Sequence, residues 1–310
     1  NGTYFDIETT TSLNCYGDSN LYDTEIPEDI GDLVNLEYLD CGARNLTGNI
    51  PSSIGNLTQL KELELNNNDL TGDIPSEIVN LTNLERLILY QNELSGEIPQ
   101  GMDNLISLEN LMLSDNNLTG LIPSELGNLT NLTWLTLNDN ILSGSIPASL
   151  GNLSQLTNLY LNGNNLEGSI PSEIANLTNI VNLMLYDNML SGTVPANLEN
   201  LTDLYQINLS NNQLSGVFPP GICNVGFYSL NVINNNLCPP YPECFTQNNI
   251  DNQDTSGCAE TCASGLYDCA GVCDGPGVIY GNGLCCASGT VDCAGTCDGT
   301  AVEDCAGVCG

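Results

Sequence analysis

The stretch Leu60-Lys61-Glu62-Leu63-Glu64-Leu65-Asn66-Asn67-Asn68-Asp69-Leu70-Thr71-Gly72-Asp73-Ile74-Pro75 carries the reading of the fold. Its pattern of Leu, two residues, Leu, one residue, Leu, two residues, Asn returns every 24 positions, starting at Leu36, Leu60, Leu84, Leu108, Leu132, Leu156, Ile180 and Leu204. A fixed period of this length is the mark of a stacked repeat architecture. Alternation such as Leu63 and Leu65 turns one face of a short strand inward, so successive copies predict a parallel sheet. The Asn at the ninth place (Asn68, Asn92, Asn116, Asn140, Asn164, Asn188, Asn212) is expected to turn its amide inward onto backbone left unpaired by the bend, and Arg44 ends that column. Each copy runs on into an Ile-Pro pair that fixes an extended segment and blocks regular helix, so little helix beyond short 3-10 turns is expected. A shortened ninth copy runs from Phe227 through Leu230, Val232, Asn235 and Leu237, and Ile26, Pro27, Ile30 and Leu33 form half of an entry copy.

The string Leu70-Thr71-Gly72-Asp73-Ile74-Pro75, repeated as Leu142-Ser143-Gly144-Ser145-Ile146-Pro147, closely resembles the plant-type leucine-rich repeat over roughly residues 20–244. The resemblance implies an α/β-class leucine-rich-repeat solenoid: a twisted superhelix with a parallel β-sheet on its concave face and 3-10 turns and extended segments elsewhere. It also implies a non-catalytic role in recognising proteins, peptides or glycans. Plant receptor kinases of that family carry a membrane helix and a kinase after the repeats, and neither is present in this sequence.

Composition narrows the function classes. Against 38 acidic residues stand only Arg44, Lys61 and Arg86, a formal net charge of -35, which disfavours nucleic acid and anionic membrane surfaces as partners. There is no histidine, the side chain most used for proton transfer near neutral pH and for metal ligation. Carboxylate pairs such as Glu62 with Glu64 lack a pocket to tune them, so no catalytic residues, no protein-bound metal and no cofactor are expected. No apolar run approaches the roughly 20 residues that cross a bilayer. Asn1 points to a mature secreted form with its leader removed, and Gly310 falls inside a repeated motif, so the chain is expected to continue.

Fifteen cysteines point to disulfides made in an oxidising, extracellular compartment. Cys15 and Cys41 fall on inward positions of adjacent coils and suit a bridge. Cys223, Cys238 and Cys244 surround Pro239-Pro240-Tyr241-Pro242 at the other end, and three cysteines cannot all pair locally. Residues 1–35 read as an N-terminal cap and partial repeat, 36–244 as the solenoid with its C-terminal cap, 245–257 as a polar linker, and 258–310 as a small disulfide-rich tail. The tail holds Cys258, Cys262, Cys269, Cys273, Cys285, Cys286, Cys293, Cys297, Cys305 and Cys309. Its Asp-Cys-Ala-Gly-x-Cys motif at Asp268 to Cys273, Asp292 to Cys297 and Asp304 to Cys309 resembles tandem repeats of large secreted microbial and protist surface proteins. Asp274, Asp292, Asp298, Glu303 and Asp304 offer calcium-binding chemistry, but no loop there matches a calcium pattern, and solvated charge is the preferred reading.

Two surface features bear on function. On the outward strand positions, Ile88, Met112, Tyr160 and Met184 share one column, with Tyr90 and Tyr186 on the next and Trp134 on the one before; they form the expected ligand patch. Eleven glycosylation sequons start at Asn1, Asn45, Asn56, Asn80, Asn117, Asn128, Asn131, Asn152, Asn176, Asn200 and Asn208. Six of them, at Asn56, Asn80, Asn128, Asn152, Asn176 and Asn200, share one repeat position and predict a wall of N-linked glycans; Ile106 breaks the column after Asn104. The favoured function is recognition or adhesion through the concave face of a secreted glycoprotein, with a protein or glycan ligand. The alternative is a structural subunit of an extracellular filament or surface layer, partnered by copies of itself through the solenoid ends and the tail.

Overall fold

The computed structural model describes residues 6, 8–15 and 24–258, and beyond them only Val278–Ile279 paired antiparallel with Cys285–Cys286. Asn1, the acidic tail residues, and Cys262, Cys269, Cys273, Cys293, Cys297, Cys305 and Cys309 lie outside the described residues.

The period does build a parallel sheet. Ten strands stand side by side in sequence order, from Ser12–Asn14 through Tyr38–Asp40, Glu62–Glu64 and onward to Gln206–Asn208 and Ser229–Asn231. Their register steps by the repeat length, as Leu39 faces Leu63 and Leu63 faces Leu87. The inward leucines form one continuous core in which Leu63, Leu87, Leu111, Leu135, Leu159 and Leu183 are fully buried. Burying each such side chain contributes roughly 1.5–3 kcal/mol, and no coil could bury its leucines without the next.

The ninth-place Asn makes the bend possible. Asn140 Nδ2 donates to the carbonyls of Leu113, Leu137 and Asn138, and its Oδ1 accepts from the Leu118 amide at 2.9 Å. One buried amide therefore ties two coils together. The column opens where the Arg44 amide donates to Asn68 Oδ1 and carries on through Asn235.

The extended segments before the Ile-Pro pairs go further than the sequence reading. They form a second parallel ladder, with strands Thr47–Asn49, Asp69–Asp73 and Glu93–Ser95 in one sheet and Ser143–Ser145 to Asn236–Cys238 in another. Single bridges at Glu97 with Thr119 and Leu121 with Ser143 continue the line between them. After each proline comes a 3-10 turn such as Ala148–Asn152, stacked on its neighbours. The turns approach closely because Gly151 has no side chain: a Cβ there would lie 2.2 Å from the Glu173 carbonyl oxygen. Val79 holds the equivalent position, and the turn stacked on it is shortened to Met102–Asn104.

Both ends are capped. Cys15 bridges Cys41 as expected, with Cα atoms 4.8 Å apart, and Cys223 bridges Cys244. Cys238 reaches to Cys258, which solves the odd count by drawing on a residue assigned to the tail. The linker reading of 245–257 is corrected by the structure. Thr246 caps a short helix, Gln247–Asp251, and Asn249 is buried against the last strand. Gln253 then takes the next place in the amide column: its Oε1 accepts from the Leu237 amide, and its Nε2 donates to Val232 O.

Candidate functional site

Every coil presents the same residue types inward and different ones to the concave face, so that face is where specificity can reside. Its N-terminal half is charged and mainly acidic, and its two exposed cations are each held by a glutamate. Lys61 Nζ lies 2.7 Å from Glu37 on the preceding coil, and Arg86 lies 3.0 Å from Glu64. The Glu37 contact raises the Lys61 pKa, and burial raises that of Glu64 against the opposing pull of Arg86. Lys61 also sits 5.8 Å over the Tyr38 ring.

The C-terminal half is neutral along the strands and rich in amides and rings. Asn182 Nδ2 donates to Asn158 Oδ1 at 2.6 Å, and Asn158 Nδ2 donates to Thr157 Oγ1. Trp134 stands 37% exposed at the head of this amide run. At its far end Tyr205 and Tyr228, 49% and 74% exposed, stack with ring centroids 5.0 Å apart and an interplanar angle of 8°.

The expected patch is only partly assembled. Ile88 faces Met112 across adjacent strands and Tyr160 faces Met184, but Thr136 separates the two pairs. Ile88 and Met184 are buried at 4% and 9% exposure although neither belongs to the leucine core. Their expected exposure is therefore corrected. Met112, Tyr90, Tyr160 and Tyr186 are half-buried, leaving Trp134 as the open member of the set. Tyr205 and Tyr228, which sequence reasoning passed over, occupy the position just before the strands; counting that column across coils would have found them.

The six-fold sequon column ends the 3-10 turns, and Asn56, Asn80, Asn128, Asn152, Asn176 and Asn200 are all exposed. Asn45, Asn117 and Asn131 are exposed as well, while Asn208 is half-buried and accepts from Ser210. On the flank of the second sheet an open groove of about 610 Å³ is lined by Ser145, Pro147, Ser169, Pro171, Thr193 and Pro195, with Glu173 its one titratable side chain. Among the described residues no cluster of His, Cys, Asp and Glu is placed to hold a metal, and no helix is long and apolar enough to cross a membrane.

The comparisons agree with this architecture. A leucine-rich repeat region model matches residues 13–142, and a Leucine Rich Repeat model matches residues 155–177 and 203–225. No curated protein sequence matches significantly. Among solved structures, the chain is similar to the LRR ectodomain of the plant membrane receptor kinase GASSHO1/SCHENGEN3 from Arabidopsis thaliana, in complex with CASPARIAN STRIP INTEGRITY FACTOR 2. Identity is 42% over 69% of this chain and 26% of that one, with a TM-score of 0.68. It is also similar to the plant peptide hormone receptor RGFR1 in complex with RGF2, at 34% identity over 74% of this chain and 41% of that one, TM-score 0.64. A plant ice-binding protein matches at 29% identity over 73% of this chain and 81% of that one, TM-score 0.53. The chain thus spans 26% and 41% of the two receptors' lengths. With repeat models covering both halves of the solenoid and the same coils in these structures, the chain belongs to the leucine-rich-repeat family.

Proposed function

We propose that this chain is a secreted, non-catalytic recognition module that binds a protein or peptide ligand along the C-terminal half of its concave sheet. The observation that carries the reading is the division of that sheet: acidic residues and the ion pairs of Lys61 and Arg86 occupy one half, while open rings and amides occupy the other. Exposed aromatic rings beside amide donors and acceptors offer contact area at low entropic cost together with directional hydrogen bonds. The two receptors it resembles were solved with their partners bound, which supports a protein or peptide ligand for this chain. N-linked glycans on the six exposed Asn residues of the 3-10 turns would hydrate that flank and direct a partner to the sheet.

Peptide and glycan arrays probed with the native protein and with Trp134→Ala/Tyr205→Ala test this reading. Hits should be lost in that variant and kept in Ser172→Ala, on the sequon flank. Hits indifferent to Trp134 and Tyr205, or no hits at all, would overturn it.

One observation favours a second reading, end-to-end assembly. Tyr228 stacks on Tyr205 with one face and leaves the other open on the last coil, where a further ring could continue the stack. Electron microscopy of native material separates the readings: fibres with a regular subunit repeat support assembly, and dispersed particles support recognition.

A further inference from the structure

The position just before each concave strand is Glu37, Lys61, Glu85 and Glu109 in the first four copies, and Tyr205 and Tyr228 in the last two. The ninth copy is shortened, yet its strand register still sets Gln206 opposite Ser229, so the two tyrosines stand side by side. The backbone fixes their spacing. The Tyr228 amide donates to the Tyr205 carbonyl at 2.8 Å, and the Ser229 amide donates to the same oxygen at 3.2 Å. Neighbouring strands lie about 4.8 Å apart, within the range at which stacked rings sit centroid to centroid. The two rings accordingly stack with centroids 5.0 Å apart and planes within 8° of parallel.

Among the described residues they are the one pair of tyrosines in ring contact. Both are also open, at 49% and 74% exposure. Tyr90, Tyr160, Tyr186 and Tyr241 are half-buried, and Tyr241 donates its hydroxyl to the Leu237 carbonyl. Tyr38 is exposed, but Lys61 lies over its ring instead of a second phenol. An oxidant in solution can therefore reach both members of the Tyr205 and Tyr228 pair, and each has the other already in contact.

We propose that Tyr205 and Tyr228 are a modification site, where a haem peroxidase using hydrogen peroxide joins the two rings carbon to carbon within one chain. The peroxidase takes one electron and one proton from each phenol, so that hydrogen peroxide is reduced to two waters and two phenoxyl radicals remain. Their unpaired density lies partly on the ring carbons ortho to oxygen. One C–C bond forms there, and the hydrogens of those two carbons move to the oxygens, which restores both phenols in a biphenol lighter by two hydrogens. Exposed side chains change rotamer within nanoseconds, so the ortho carbons can slide into contact from the stack. Holding the rings side by side replaces an encounter between chains by one within the chain, and this favours the intramolecular product. The fifteen cysteines point to an oxidising compartment, where such chemistry can proceed. The product is a covalent tie between the last two coils, additional to the Cys223–Cys244 bridge of the cap. It goes beyond the concave-face reading and does not depend on it.

The test treats the full chain, dilute, with a haem peroxidase and limiting hydrogen peroxide. After reduction and pepsin digestion, mass spectrometry should find the Tyr205 and Tyr228 peptides joined with the loss of two hydrogens. Before digestion, the biphenol fluorescence should run with the monomer, and its yield per chain should not change when the protein concentration is doubled. Tyr205→Phe and Tyr228→Phe keep the ring and remove the oxidisable phenol; each should lower monomer fluorescence about tenfold, while Tyr38→Phe stays within about twofold of the parent. Absence of the joined peptide, monomer fluorescence retained in Tyr228→Phe, equal loss in Tyr38→Phe, or fluorescence found chiefly in dimers that grow with concentration would overturn the proposal.

Discussion

Asparagine returns with the same period in two columns of this molecule, and the two columns have opposite fates. Asn68, Asn116, Asn140, Asn164 and Asn212 are buried, each bonded to backbone on its own coil and the one before. Asn56, Asn80, Asn128, Asn152, Asn176 and Asn200 end the 3-10 turns in solvent. Periodicity therefore shows that a position matters to the repeat without showing how. What separates the columns is where the backbone leaves groups unpaired: the bend after each concave strand strands carbonyls inside the coil, and an amide brings two N–H donors and a carbonyl acceptor to them at once.

The sharpest way to break this contrast is Asn140→Ala. It strips three carbonyls and one amide of their partner inside the solenoid, and a loss of about 3 kcal/mol in unfolding free energy is expected from denaturant melts, since each buried orphan costs roughly 1–3 kcal/mol. A melt within 1 kcal/mol of the parent would mean that water replaces the amide. A smaller effect is expected for Gln253→Ala, where the bonds lie at the end of the column. We expect about 1–2 kcal/mol, together with faster hydrogen exchange at the Leu237 amide. Exchange unchanged at Leu237 would detach Gln253 from the cap.

Gln253 also shows what the sequence concealed. The leucine period made the coils and concave sheet legible, because a one-residue shift would turn every Leu to solvent. Residues 245–257 looked like a linker because they are rich in Asn, Asp, Gln and Thr. Those amides are what the last coil needs, as Asn249 and Gln253 satisfy backbone that no further repeat covers. The binding surface was harder to read. Ile88 is buried and Trp134 open although both stand on outward strand positions, and a column of letters does not carry the lateral packing that separates them.

In the exposed column, Asn128→Gln should change stability by no more than about 0.5 kcal/mol, as surface substitutions away from packed features do. Its one side-chain bond is to half-buried Asp103. In the native glycoprotein, peptide mapping after glycosidase treatment should find deamidation at several of the six positions. Deamidation at none would assign that column to repeat architecture alone, like its buried counterpart.

The smallest effect belongs to a position between the two extremes. Asp115 occupies the left-handed column where Asn67 and Asn211 stand in other coils, and burial raises its pKa above the usual 3.8, with the Asp139 carboxylate adding to the rise and Ser114 opposing it. Partial burial therefore favours the neutral acid, the form most like Asn. Below about pH 3.8 the group is protonated in both folded and unfolded chains. As pH rises from there through the higher folded value, the unfolded chain releases its proton first, and the native state loses stability. Glu64, raised chiefly by burial from 4.5, acts in the same direction over a window starting slightly higher. Melting temperature should thus fall gently as pH rises above about 4, and the exposure of Asp115 keeps its share small. Asp115→Asn removes that share, so the variant should melt slightly higher than the parent at neutral pH and match it most closely near pH 3. A variant that melts lower at neutral pH would show that the charged carboxylate, and not its burial, is what the fold uses at this position.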